Sequence, residues 1–193
     1  MDIVITSLPG PFRSSRMHFC EMGLKYIEHD KVHIRPAKLG QYEELLAAAL
    51  DPVVSEQFIW MPDCCMVTSP FTPARYVNSG MLQRRPEESA LMTNTIRYLL
   101  KTQPGADLYD YELDLPTVFS KKRILDMNMG MNRTDMLPRT LYGNMYPEAF
   151  LRMDNPRIEK WTHGDDPNLA VVSLSDEAIE HRDCITWLKA RLS

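Results

Sequence analysis

Carboxylates and arginines at suggestive spacing stand out in this chain before any element is assigned. Residues 109–116 read YDYELDLP. In an extended segment Asp110, Glu112 and Asp114 alternate and project to one side. Carboxylates held that close raise one another's pKa, which suits one of them to general-base work; a solvated acidic edge is the competing reading. Asp63 closes the run FIWMPD at residues 58–63. Ligands of open α/β sheets bind beyond the carboxyl ends of strands, and an acid there offers hard oxygen to a divalent cation bridging a diphosphate. Cys64 and Cys65 follow, and thiols serve magnesium or manganese poorly. Asp63 as a strand cap with the cysteines packed inside is the other reading. Residues 133–144, RTDMLPRTLYGN, carry Arg133 and Arg139, planar donors matched to phosphate, and Gly143, which permits close backbone approach. An arginine-bearing surface loop accounts for them equally. The turn at residues 8–16 includes Leu8, Gly10, Arg13 and Arg16. Its backbone N–H groups and guanidinium groups suit a diphosphate, although it lacks G-x-G-x-x-G and an ordinary solvated turn fits as well. The histidines at 18, 29, 33, 163 and 181 show no ligand spacing such as H-x-x-x-H.

These residues need elements to hold them. Residues 2–6, DIVIT, form a short β-branched run ended by Pro9-Gly10-Pro11, which predicts a buried strand leaving through a turn. Met17, Cys20, Leu24 and Ile27 recur at helical spacing behind Ser14 and Ser15. Residues 32–34 then predict a second strand before Pro36, completing a βαβ unit with a parallel pair. Residues 41–50 are strong helix formers. Residues 58–61, apolar on both faces, predict a central parallel strand. A helix over 87–101 ends at Pro104-Gly105. Residues 109–119 are expected to be extended, and Ser120 to cap a short helix through 127. Residues 128–144 lack periodicity and predict a long irregular loop, where ligand contacts concentrate. A late strand over 169–174 leads to Ser175, the expected cap of a last helix striped by Cys184, Ile185, Leu188 and Leu192.

The chain of 193 residues suits one domain spanning 1–193, with no repeat or linker. Hydrophobic residues at 44% and charged residues at 25% are ordinary for a globular chain. A net charge of −4 gives no sign of a general polyanion binder. Thirteen methionines read as adaptable core filler. The four cysteines form no C-x-x-C pair. With no basic region before Ile3-Val4-Ile5 and no apolar run of membrane length, the expectation is a soluble cytoplasmic protein with reduced thiols and no membrane partner.

Taken in order, four blocks, DPVVSEQFIWMPDCC, YDYELDLPTVFSKKRIL, RTLYGN and VVSLSDEA, resemble the Stealth-type capsular polysaccharide phosphotransferases and their small phage-encoded glycosyltransferase-like relatives. The resemblance runs from Asp2 to about Leu192, and the order and spacing of the blocks carry it. It implies a single-domain α/β, Rossmann-like, glycosyltransferase type A fold with a mostly parallel central sheet flanked by helices. It further implies a sugar-nucleotide donor, a UDP-sugar first among them, and magnesium or manganese at Asp63. By position, Asp63 matches the first acid of the strand-end pair, Arg139 and Asn144 the R-x-x-Y-G-N block, and Asp176 the acid of the late block. Cys64, Asp114 and Ser175 stand where that pattern has an acid, a histidine and an asparagine.

The expectation is therefore a transferase moving a sugar or sugar phosphate to an acceptor hydroxyl. Asp114 would serve as base and Arg139 would stabilise the leaving diphosphate, with Leu8, Gly10, Arg13, Arg16, Asp63, Arg133, Asn144 and Asp176 around the donor. The phage relatives point to a modified base in phage DNA as one acceptor, and so to host cytoplasm. The alternative is a catalytically eroded phage factor that binds a nucleotide or a protein. A nuclease is a weaker rival, with only Asp110, Glu112 and Asp114 clustered.

Overall fold

Helix α1 (Ala37–Leu50) shows how the chain builds its larger core. Tyr42, Leu45, Ala48 and Ala49 are buried, and their spacing of three to four residues turns one face inward. In the computed structural model the described residues are 4–7, 25–28, 37–61, 65–69, 77–82, 90–128, 135–147, 151–152, 157–165, 167 and 169–192. Helix α2 (Ala90–Thr102) buries Thr95, Ile96 and Leu99. It ends where Gly105 adopts a φ of 79°, a conformation glycine takes without steric cost.

Strands β1 (Val4–Ser7) and β2 (Lys25–Glu28) pair in parallel. The expected parallel pair therefore forms, but its second member is Lys25–Glu28. Residues 32–34 lie outside the described residues. Ile27, assigned above to a helical stripe, is in this strand; Tyr and Ile favour a pleated surface, and four apolar positions at helical spacing do not exclude it.

Strand β3 (Gln57–Trp60) pairs with β6 (Thr117–Ser120), and the pairing is antiparallel. This corrects the expected central parallel strand. Phe58 is buried, Gln57 is exposed, and Met61 just beyond the strand is 47% exposed. The apolar run is thus not covered on both sides. Phe58 sits opposite Phe119 with ring centroids 6.2 Å apart. Tyr142 meets Phe119 edge-on at 4.7 Å, a favoured aromatic geometry.

Helix α3 (Lys121–Asn128) follows β6 directly, and Ser120 Oγ accepts the Arg123 N–H at 3.4 Å. Helix α4 (Pro138–Met145) replaces most of the described part of the expected loop over 128–144. Every residue from Pro138 to Asn144 is buried. At eight residues the helix is shorter than the stretch over which a helical period is read. Pro138 in its first turn is preorganised for helix.

The remaining strands are short. Strand β4 (Cys65–Val67) lies antiparallel to β9 (Val171–Leu174), and β8 (Arg157–Ile158) lies parallel to β9 on its other side. Strands β5 (Val77–Asn78) and β7 (Leu151–Arg152) form a parallel pair. After β9, Ser175 Oγ accepts the Ala178 N–H at 3.1 Å and caps α5 (Asp176–Glu180). The chain breaks at His181 before α6 (Arg182–Leu192), so the single final helix expected is two. Trp161, Val172, Leu174, Ala178, Cys184 and Leu188 form a second, smaller core. Ile185, expected in that stripe, is 40% exposed.

The fold is mixed α/β. Among the described residues strand pairing stays within sheets of two or three strands, so the extended, mostly parallel central sheet is not seen there. Among the described residues no helix is long and apolar enough to cross a membrane.

Candidate functional site

The three carboxylates of YDYELDLP do not share one side, because each is claimed by a different neighbour. Asp110 Oδ1 accepts the Glu112 N–H at 2.9 Å and serves its own turn. Glu112 Oε1 accepts the Thr140 N–H at 3.0 Å in the first turn of α4. Leu137 provides no side-chain cap for that helix, and an acid suits the positive end of the helix. Burial raises the Glu112 pKa, while the Arg139 charge and the Thr140 N–H oppose the rise. Asp114 turns toward β8, where Oδ2 lies 3.5 Å from Nη1 of Arg157.

Helix α4 holds this irregular segment by its backbone. Asn144 Oδ1 accepts the Tyr109 N–H at 2.9 Å, and Nδ2 donates to the Tyr109 and Thr140 carbonyls, both at 2.8 Å. Thr140 Oγ1 accepts the Tyr111 N–H at 3.3 Å. Arg139 Nη1 donates to the Leu113 carbonyl, and its guanidinium lies 4.7 Å from the centre of the Trp60 ring. Gly143 is required by the fold itself: a Cβ there would lie 2.6 Å from three atoms of the Tyr111 ring. The close approach foreseen for Gly143 is to this ring. Buried backbone groups must be paired: residues 79–82 pair with the start of the segment through a short antiparallel bridge, and α4 supplies partners for Tyr109, Tyr111 and Leu113.

The three-stranded sheet meets the same segment at Asp114. Cys65 on β4 and Arg157 on β8 are both register partners of Ser173 on β9. Register partners send side chains to the same face. Cys65 Sγ donates to the Asp114 carbonyl at 2.9 Å, while Arg157 reaches the Asp114 carboxylate. Asp114 is thus held at backbone and side chain from one row of the sheet, with Ser173 buried at its middle. Arg157 Nε is also 2.8 Å from Glu159 Oε1. Side-chain exposure rises along this chain of charges, from 24% at Asp114 through 36% at Arg157 to 72% at Glu159.

Of the residues singled out by sequence, Asp114 is half-buried, Arg139 is 4% exposed, Asn144 is buried, and Asp176 is exposed in the first turn of α5. Arg139, expected to meet a leaving diphosphate, is enclosed against Trp60 and Leu113 instead. Leu8, Gly10, Arg13, Arg16, Asp63 and Arg133 lie outside the described residues. Arg157 escaped the sequence reading. Its only signal was a basic residue opening a short β-branched step, too common a pattern to select.

Among the described residues no three His, Cys, Asp or Glu side chains form a group able to hold a metal ion. The magnesium or manganese implied by the resemblance is expected at Asp63, which lies outside the described residues. Compared with known proteins, the chain matches no family model and no curated protein.

Proposed function

We propose that this chain is a transferase that moves a sugar, or sugar phosphate, from a sugar nucleotide to an acceptor hydroxyl, with Asp114 as the base. The observation that carries the reading is convergence on one acid. Cys65, Arg157 and Arg139, which contact Asp114 or the adjacent Leu113, lie 49, 43 and 26 residues away along the chain. Cys65, Asp114, Arg139 and Ser173 belong one to each of the four blocks resembling the Stealth-type enzymes. Two of the other blocks meet the backbone at Leu113 and Asp114, and a third supplies the strand residue that Cys65 and Arg157 flank; distant segments gathered beside a half-buried carboxylate support reading one site there. The reading places the donor beside the row formed by Cys65, Ser173 and Arg157 across the three-stranded sheet.

For sugar transfer the chemistry is an attack by the acceptor oxygen on the anomeric carbon. The new carbon–oxygen bond forms as the bond to the nucleoside diphosphate breaks, and the electron pair leaves on the diphosphate oxygen. The acceptor proton passes to an Asp114 carboxylate oxygen. Arg139 is a positioning residue here, fixing the Leu113 carbonyl and so the carboxylate next to it.

The test is incubation with radiolabelled UDP-sugars and a panel of acceptors that includes modified-base DNA. Asp114→Asn is expected to lower transfer on the order of a hundredfold or more, with folding intact by circular dichroism. Full transfer by that variant, or none by the wild type with any pairing, overturns the reading. The eroded-binder alternative draws on Cys64 standing where the resembling pattern has its second strand-end acid, and predicts nucleotide binding without turnover.

A further inference from the structure

We propose that Asn78, Tyr111 and Arg152 form a binding site for a phosphate oxyanion, with two buried neutral donors behind one exposed guanidinium. The inference does not depend on the transferase reading, and none of these residues is assigned to the donor site above.

The inner groups are donors without an acceptor. Asn78 is 1% exposed and Tyr111 is 6% exposed, and neither Asn78 Nδ2 nor the Tyr111 hydroxyl meets a partner at hydrogen-bond geometry. They are neighbours: burial raises the Tyr111 phenol above its ordinary 10.0, and the Asn78 amide works against that rise. The amide's orientation is fixed, because Oδ1 accepts the Gly80 N–H at 2.9 Å and a flip would set donor against donor. Even with one amide proton turned to the phenol oxygen, the other amide proton and the phenol proton find no acceptor. Buried donors left unpaired cost stability, so an acceptor oxygen from outside the chain would complete the arrangement.

Arg152 supplies the charge. It is the register partner of Asn78 in the parallel pairing of β5 with β7, so the two side chains leave the same face. Its guanidinium lies against Gly80, where a Cβ would sit 3.5 Å from Nε and 3.6 Å from Cζ. The residue whose N–H holds the Asn78 amide thus also carries the guanidinium. Arg152 is exposed, and among the described residues no carboxylate is paired with it. The frame is fixed: the Ser79 N–H donates to the Asp110 carbonyl at 2.9 Å, the Gly80 carbonyl accepts the Asp110 N–H at 3.0 Å, and the Tyr111 ring packs on Gly143. Donors held in place lose little freedom on binding. A water molecule would answer the neutral donors alone; the guanidinium selects an anion, and a phosphate has oxygens for its fork and for both inner donors.

The experiment titrates inorganic phosphate and glycerol 3-phosphate into the full chain by calorimetry at constant ionic strength. The wild type is expected to bind phosphate saturably. Arg152→Gln, at an exposed position, is expected to weaken binding about tenfold or more, and Arg152→Lys to keep part of the affinity, with the charge retained and the fork lost. Tyr111→Phe is expected to weaken phosphate severalfold while its urea midpoint stays at or above the wild-type value, because it removes a buried hydroxyl that has no partner in the free chain. A phenol that serves only the fold predicts the opposite, a lower midpoint with phosphate binding unchanged. No saturable phosphate binding by the wild type, wild-type affinity in Arg152→Gln or Tyr111→Phe, or a Tyr111→Phe midpoint below that of the wild type overturns the inference. Tighter binding of the monoester means that the phosphate arrives on an organic carrier; equal or weaker binding assigns the site to the free ion, and either order supports the site.

Discussion

Arg139 and Arg157 touch adjacent residues of one segment under opposite conditions. Arg139 is 4% exposed, stacks over Trp60 and donates to the Leu113 carbonyl. Arg157 is 36% exposed at its side chain and is shared between Asp114 and Glu159. A buried charge must keep every partner it has, because losing one leaves a desolvated group uncompensated. A half-exposed charge can give up a partner at lower cost, because water takes its place. Residue type alone suggests that either guanidinium could serve a phosphate; burial separates the enclosed one from the solvent-facing one.

The sharpest way to break this comparison is to damage the clamp without touching a charge. Gly143→Ala places a methyl group 2.6 Å from the Tyr111 ring and is expected to destabilise the chain by about 3 kcal/mol, as overpacking does. A urea midpoint equal to that of the wild type would mean that α4 does not grip the segment as described.

A smaller effect, with a pH signature, tests Arg139. Arg139→Met leaves the Leu113 carbonyl without this donor and removes a positive charge near Glu112, for a loss of about 2 kcal/mol at neutral pH. Burial raises the Glu112 pKa above its ordinary 4.5, and Arg139 restrains that rise. A carboxyl whose pKa is raised by folding favours the folded form below the unfolded value, and this contribution is lost as pH rises through the folded value. Without Arg139 the folded pKa climbs further. The deficit of the variant should therefore grow between about pH 4.5 and neutrality and shrink in acid. Urea unfolding across that range checks it, and a deficit independent of pH would remove Glu112 from the account.

The smallest effect belongs to Arg157. Exposed ion pairs contribute little, so Arg157→Gln should cost less than about 1 kcal/mol in the same urea measurement. A loss as large as that for Arg139→Met would make Arg157 a structural clamp too and erase the contrast.

Much of the element list was legible along the chain. Residues 41–50 and most of 87–101 are helical in the structure, and Ser120 and Ser175 stand where the start signals place them, with Oγ accepting the Arg123 and Ala178 N–H groups. Helix α4 was illegible because its eight residues are too short a run for a helical period to stand out, and its side chains Arg139 and Asn144 hydrogen-bond to backbone carbonyls of a segment far away in sequence. The direction of the β3 pairing was equally hidden, since an apolar run fits either kind of neighbour.

By itself the sequence determined what depends on neighbours a few residues away: helix-forming stretches, their hydroxyl caps, the glycine stop after α2, and the position of an acid-rich segment between helices. Only the tertiary structure decided which carboxylate is paired with which guanidinium. Those outcomes turn on contacts such as Cys65 with the Asp114 carbonyl and Arg157 with its carboxylate, spanning 49 and 43 residues. Such contacts form only where the sheet has brought distant segments into register, and no local preference encodes that register.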